Sequence, residues 1–71
     1  MTAHDHVYSI TQLAGSSERS LEKAIENAVE TASRSLRNLA WFEVDEVRGH
    51  IEDGRVAHYQ VVLRLGFTYD Q

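Results

Sequence analysis

The stretch that decides the fold is Glu52-Asp53-Gly54-Arg55-Val56-Ala57-His58-Tyr59-Gln60-Val61-Val62-Leu63-Arg64-Leu65-Gly66-Phe67. Asp-Gly between two β-rich runs is a hairpin signal, because a type I′ turn needs positive φ at both central residues and these two residues tolerate it. After the turn, Ala57, Tyr59, Val61, Leu63, Leu65, Phe67 and Tyr69 recur on one parity, and His58, Gln60, Val62, Arg64, Gly66 and Thr68 on the other. That period of two predicts a strand from Val56 to Tyr69 with its first set turned to a core. Trp41 to Ile51 reads as its hairpin partner. A two-residue turn pairs Glu52 with Arg55. Counting back places Val44 opposite Leu63 and Phe42 opposite Leu65 on the core side. The same count places Trp41 opposite Gly66, and Val47 opposite Gln60, on the other side. It also turns Glu46 and Arg48 toward the core and Val47 outside, which either a bulge near Asp45 or a strand that extends past the helix there would account for.

Upstream, Leu21, Ala24, Ile25, Ala28, Val29, Ala32, Leu36 and Leu39 follow the spacing of one buried helical stripe. Its middle is mostly Ala, which lets a helix lie close to a sheet. Glu22, Lys23, Glu26, Asn27, Glu30 and Arg34 form a polar opposite face. Ser16-Ser17 offers a cap, acids follow at the N-terminal end, and Arg34 and Arg37 fall at the C-terminal end. A helix from about Glu18 to about Arg37 is expected, with Asn38 as terminator. Before it, Val7 to Ala14 has the composition of a strand, closed by Gly15. The predicted fold is α+β, β-α-β-β: a three-stranded antiparallel sheet with one helix on one face. The chain, residues 1–71, is read as a single domain with a loose tail at residues 1–6.

Composition narrows the function. Seventy-one residues make one domain, and a chain that short buries only roughly 60% of its unfolded surface. Without Cys there is no disulfide or thiolate metal site to compensate, so self-association is the expected remedy. The lack of Cys also suits a reducing compartment. Net charge is −4, with 11 acidic against 7 basic side chains. No basic stripe is present to meet a phosphate backbone, so nucleic acid is not an expected partner. No apolar run is long enough for a membrane span, and the N-terminus is not a secretory signal. A soluble cytoplasmic protein is the expectation. His4 and His6 flank Asp5, but no third ligand completes a metal site. Glu18, Glu22, Glu26 and Glu30 read as a solvated stripe. His50 and His58 lie on neighbouring strands, without a Cys nucleophile, phosphate loop or nucleophile elbow beside them, so no enzyme activity is expected.

One helix covers one face of a sheet. The other face should show Trp41, Val47 and Val62 with Gln60, Arg64 and His58, and an apolar patch there marks an interface or a ligand site. From the residues alone Trp41 is either a packed interface residue or a platform for a flat ring, with Gln60 able to read the edge of a heterocycle.

A resemblance bears on that choice. Leu36-Arg37-Asn38-Leu39-Ala40-Trp41-Phe42-Glu43-Val44, Val47-Arg48-Gly49-His50, Val56-Ala57-His58-Tyr59-Gln60-Val61, Gly15-Ser16-Ser17 and Gly66-Phe67 resemble, in order and without gaps, segments of the dodecins. The resemblance runs from about Val7 to Phe67. It implies a hollow homo-dodecamer that stores or buffers flavin (FMN, riboflavin or FAD) and does not turn it over. It also implies that Trp41 stacks on the isoalloxazine, Gln60 hydrogen-bonds its pyrimidine edge, and Arg48 lies near the ligand. Some members bind coenzyme A, so a coenzyme A binder or a purely structural oligomer are the other readings. Two positions depart from the family pattern: Ala40 stands where Asp is frequent, and Thr68 where Arg is common.

Overall fold

In a computed structural model, which describes residues 7–68, the chain forms β1 (Tyr8–Ser17), α1 (Leu21–Ala32), β2 (Leu39–Glu52) and β3 (Arg55–Thr68). The strands make one sheet in the order β1-β3-β2, with both pairings antiparallel. The predicted fold class is the one observed. The tail at residues 1–6, with its His4-Asp5-His6 group, and Tyr69 lie outside the described residues.

The turn is as expected: Asp53 and Gly54 have φ of 52° and 74°, and Glu52 pairs with Arg55. The Val44–Leu63, Phe42–Leu65 and Trp41–Gly66 pairs are all present. The middle of the hairpin is shifted by one residue. An irregularity between Val44 and Glu46 and another between His50 and Ile51 bracket the shift. The first leaves Asp45 without an opposite residue. The second lets Ala57 slip between the His50–His58 and Ile51–Val56 pairs. Within that window Val47 faces Val61 and Arg48 faces Gln60. The expectation that Val47 pairs with Gln60 away from the helix is therefore corrected. Because side chains alternate, one extra residue at Asp45 exchanges the faces of everything that follows. Val47 turns to the helix side, and Glu46 and Arg48 turn to the other.

The first strand and the helix also differ from expectation. β1 does not close at Gly15 but runs to Ser17, with Ser16 opposite Gln60 and Ser17 opposite Tyr59. Ser20, not Ser16 or Ser17, caps α1: its extended backbone (φ −167°) and its hydroxyl, which accepts from the Lys23 N–H at 3.0 Å, end the strand-to-helix link. The helix stops at Ala32, five residues short of Arg37. There the Ser33 hydroxyl donates to the Glu30 carbonyl at 2.7 Å, and the Arg34 N–H bonds the Thr31 carbonyl at 3.2 Å, three residues back. Both tighten the last turn and take the chain out of the α-helix. Arg34 and Arg37 thus lie in the connection. Asn38, expected as the helix terminator, lies six residues beyond the end of α1; with φ 63° it redirects the backbone into β2 instead.

The core is small. Ala24, Ala28 and Ala32 of α1 pack on Val61, Leu63 and Leu65 of β3, with Leu13, Ile25, Val29, Leu36 and Leu39 around them. The alanine stripe brings the helix down onto the sheet where β1 carries Gly15. A Cβ there would stand 2.8 Å from the Ala28 Cβ and closer still to the Ala24 carbonyl oxygen. Gly15 is therefore a helix seat inside a strand. α1 packs on β1 and β3. β2 is left out: every residue after Leu39 is exposed, including Phe42 (50%), Val47 (56%) and Ile51 (72%). The radius of gyration is 14.9 Å, against roughly 11 Å for a compact chain of this length. The described residues of the chain leave the apolar side chains of β2 uncovered, and an exposed apolar patch of this kind marks an interface or a ligand site.

Candidate functional site

The helix takes one face of the sheet, and the other carries rows of side chains set by the strand pairing. Beyond the Tyr8/Thr68 pair at the open end, the rows toward the turn are Ile10/Gly66/Trp41, Gln12/Arg64/Glu43, Ala14/Val62/Glu46, Ser16/Gln60/Arg48 and finally His58/His50.

Trp41 occupies the first row. Its six-membered ring lies over Gly66. A Cβ at that glycine would be 2.7 Å from Trp41 Cδ2 and nearer to Cε2 and Cζ2. Only a residue without a side chain allows the indole to lie across the central strand there. The ring reaches β1, where Tyr8 meets it at 5.9 Å between centroids and 64° between planes. Trp41 remains 36% exposed, so part of the indole is open to solvent. Ala40, just before it, falls in the irregularity between Leu39 and Trp41.

Gln60 and Arg48 face each other in the fourth row. Gln60 is half-buried and its amide has no hydrogen bond among the described residues. Arg48 is exposed and ion-paired with Glu46, two residues back on its own strand. The three candidate residues therefore share a face, as the bulge allows, but not a place on it. Gln60 is six residues along β3 from the Gly66 under Trp41, roughly 20 Å at ~3.3 Å per residue. A three-ring heterocycle stacked on Trp41 cannot reach Gln60 of the same subunit.

Between these ends lies a polar network that spans all three strands. The Arg64 Nε donates to Asp45 at 3.0 Å, its terminal nitrogen to Glu43 at 3.0 Å, and the Gln12 amide donates to Asp45 at 3.0 Å. The extra residue of the bulge is what puts the Asp45 carboxylate here. The hydrogen bond to Asp45, then the charges of Asp45 and Glu43, raise the Arg64 pKa above its ordinary value. At the turn end His50 and His58 stack at 5.1 Å with planes 8° apart, and Glu52 lies 3.8 Å from His50. Among the described residues no three His, Asp or Glu side chains converge on a metal position.

Two concavities lie among the described residues, the smaller of them bordered by Trp41. One of about 440 Å³ is lined by Lys23, Ile25, Glu26, Val29, Glu30 and Phe42, and one of about 150 Å³ by Val29, Leu39, Ala40, Trp41, Phe42 and Leu65. Neither includes Gln60 or Arg48.

Sequence reasoning placed Trp41 and Gly66 together, and Gln60 on their face. It missed Tyr8, because that contact depends on β1 lying across β3 from β2. It also missed the Arg64 network, whose signal was an acid at the position where a bulge was needed.

Fold and face together define a small β-α-β-β protein that displays an aromatic platform on an open sheet. The Dodecin family model matches residues 7–70, and the chain belongs to the dodecin family, one of small binding and storage proteins. It is 48% identical over 65 residues to the dodecin of Thermus thermophilus, covering 92% of this chain and 94% of that one. The solved dodecin of Streptomyces coelicolor superposes with a TM-score of 0.87 at 50% identity, covering 96% and 97% of the two chains. The Streptomyces davaonensis dodecin gives 0.87 at 45% identity, covering 94% and 98%. Among the described residues no helix is long and apolar enough to cross a membrane.

Proposed function

We propose that this chain is a flavin-binding protein of the cytoplasm, which holds FMN or riboflavin without transforming it, as a homo-oligomer built on the dodecin plan of twelve subunits. The observation that carries the reading is the partly exposed indole of Trp41 over Gly66, set roughly 20 Å along the sheet from the unpartnered amide of Gln60. A platform and an edge-reader that far apart serve one ligand only when different subunits contribute them. The exposed apolar residues of β2 supply the surface for that association.

The residues present suit the flavin ring. Trp41 stacks on a flat π-system by offset contact. The Gln60 amide can donate or accept a hydrogen bond at the imide edge of a heterocycle. Arg48, held by Glu46, stands beside Gln60 as a cation for an anionic substituent. When bound, the isoalloxazine would supply an electron-poor ring; the Trp41 indole beside it would lend an electron to the excited ring and take it back on recombination, so that the contact that stores the ligand would also shield it from photochemistry.

The test is direct. Freshly purified protein should be yellow or should quench added riboflavin fluorescence. Trp41→Ala should abolish the quenching while the mass in solution stays the same. If the wild type leaves riboflavin fluorescence untouched and Trp41→Ala breaks the assembly, Trp41 is an interface residue and the flavin reading fails.

A further inference from the structure

The Trp41 indole is constrained from two directions. Gly66 lies beneath it, and Tyr8 abuts it from the far side of the central strand. Tyr8 is on β1 and Trp41 on β2, with β3 between them. Their rings meet because Gly66 leaves the row empty: any side chain there would stand in the path of the indole. Gly66 alone does not fix the plane of the ring. It permits the indole to lie over the strand but offers no wall to stop it swinging, and Trp41 is open on its outer side. The only ring contact that Trp41 makes among the described residues is with Tyr8, at 64°, a tilted edge-to-face arrangement. Such a pair aligns the positive edge of one ring with the negative face of the other, so it has a preferred angle as well as a contact area.

We infer that Tyr8 is a positioning residue: its ring sets the plane of the Trp41 indole, and with it the slot in which a flat ligand stacks. The inference rests on the flavin reading for its ligand but not for the Trp41 geometry. A platform already held in plane has less side-chain freedom left to lose when the ligand arrives. Tyr8 is 41% exposed near the start of β1, opposite Thr68, so it belongs to the rim of the site and not to the core.

The experiment compares Tyr8→Leu and Tyr8→Phe in the full chain. Leucine keeps apolar bulk and removes the ring; phenylalanine keeps the ring. Two quantities are read: the near-ultraviolet circular dichroism of Trp41 in ligand-free protein, and riboflavin affinity by fluorescence quenching, with mass in solution alongside. Tyr8→Leu should lose much of the tryptophan dichroism and weaken riboflavin by roughly three- to tenfold, the size of one aromatic pair, at unchanged mass. Tyr8→Phe should restore both. Unchanged dichroism and affinity in Tyr8→Leu overturn the inference. So does a Tyr8→Phe protein as weak as Tyr8→Leu, which would assign the effect to the hydroxyl. Loss of the assembly in Tyr8→Leu makes Tyr8 structural and overturns it too. A wild type that binds no riboflavin sinks the flavin reading, while the dichroism still decides whether Tyr8 holds Trp41.

Discussion

Trp41 and Gln60 stand on the same face of the sheet at opposite ends of one hairpin, with Gly66 and Gln60 six residues apart on β3. Their separation makes them independent within a subunit. Gln60→Ala should weaken riboflavin by roughly two- to tenfold, the loss of one net hydrogen bond. The tryptophan dichroism of the ligand-free protein should not move. A titration of both proteins, with their near-ultraviolet spectra overlaid, checks the two halves of this statement separately.

Gly66→Ala attacks the platform without touching Trp41 itself. The new methyl would occupy the space of the indole six-membered ring. Overpacking of this kind costs about 1–3 kcal/mol, and the indole must leave its seat. The expected result is a lower thermal midpoint together with riboflavin quenching weakened roughly tenfold or more. If Gly66→Ala keeps wild-type quenching, the indole does not need that seat to bind.

Thr68 lies opposite Tyr8, beside the platform, where an arginine is common in the family pattern. A cation near a phosphate makes a charge-assisted hydrogen bond worth roughly 1.5–3 kcal/mol. This chain should therefore discriminate in favour of FMN over riboflavin less than a relative with arginine at that position. Thr68→Arg should shift the ratio toward FMN by about tenfold or more at low salt, and the gain should shrink as salt is raised. Parallel quenching titrations of the two flavins measure it; a strong FMN preference in the wild type would contradict it.

Arg64 is held as a cation by Asp45 and Glu43. A raised pKa in the folded state means that its contribution is fully present below the ordinary arginine value and is lost only as pH climbs through a still higher one. Arg64 should accordingly contribute no pH dependence between neutral and moderately alkaline buffers. Arg64→Ala should lower stability only slightly, as exposed ion pairs do, with the difference from wild type narrowing in high salt. Denaturation curves at two salt concentrations and two alkaline pH values decide this.

The dodecin pattern also tells which parts of the site were legible early. The Asp53-Gly54 turn and the alternation after it are local signals. They were sufficient to pair Trp41 with Gly66, because every step of the count from the turn to Gly66 is covalent and the two register shifts in between cancel. The same cancellation hid the error at Val47, which lies between the shifts. Helix length was misjudged because Leu36 and Leu39 continue the apolar spacing beyond Ala32, although they join the core from a turn and from a strand.

By itself, then, the sequence determined the hairpin, the alanine face of α1 and the presence of an aromatic on an uncovered sheet face, all of which follow from chain connectivity and periodicity. Only the tertiary structure decided that β3 lies between β1 and β2, that Asp45 bulges out to meet Arg64, that Arg48 joins Gln60, and that both stand far from Trp41. Those relations come from pairing between strands distant in the chain and from bulges that exchange the faces of the residues after them. The alternation of β2 marks the need for a bulge near Asp45 but neither the partner Asp45 meets nor the order of the strands. Tyr8 beside Trp41 is the plainest case: 33 positions apart in the chain, they touch because Gly66, on the strand between them, has no side chain.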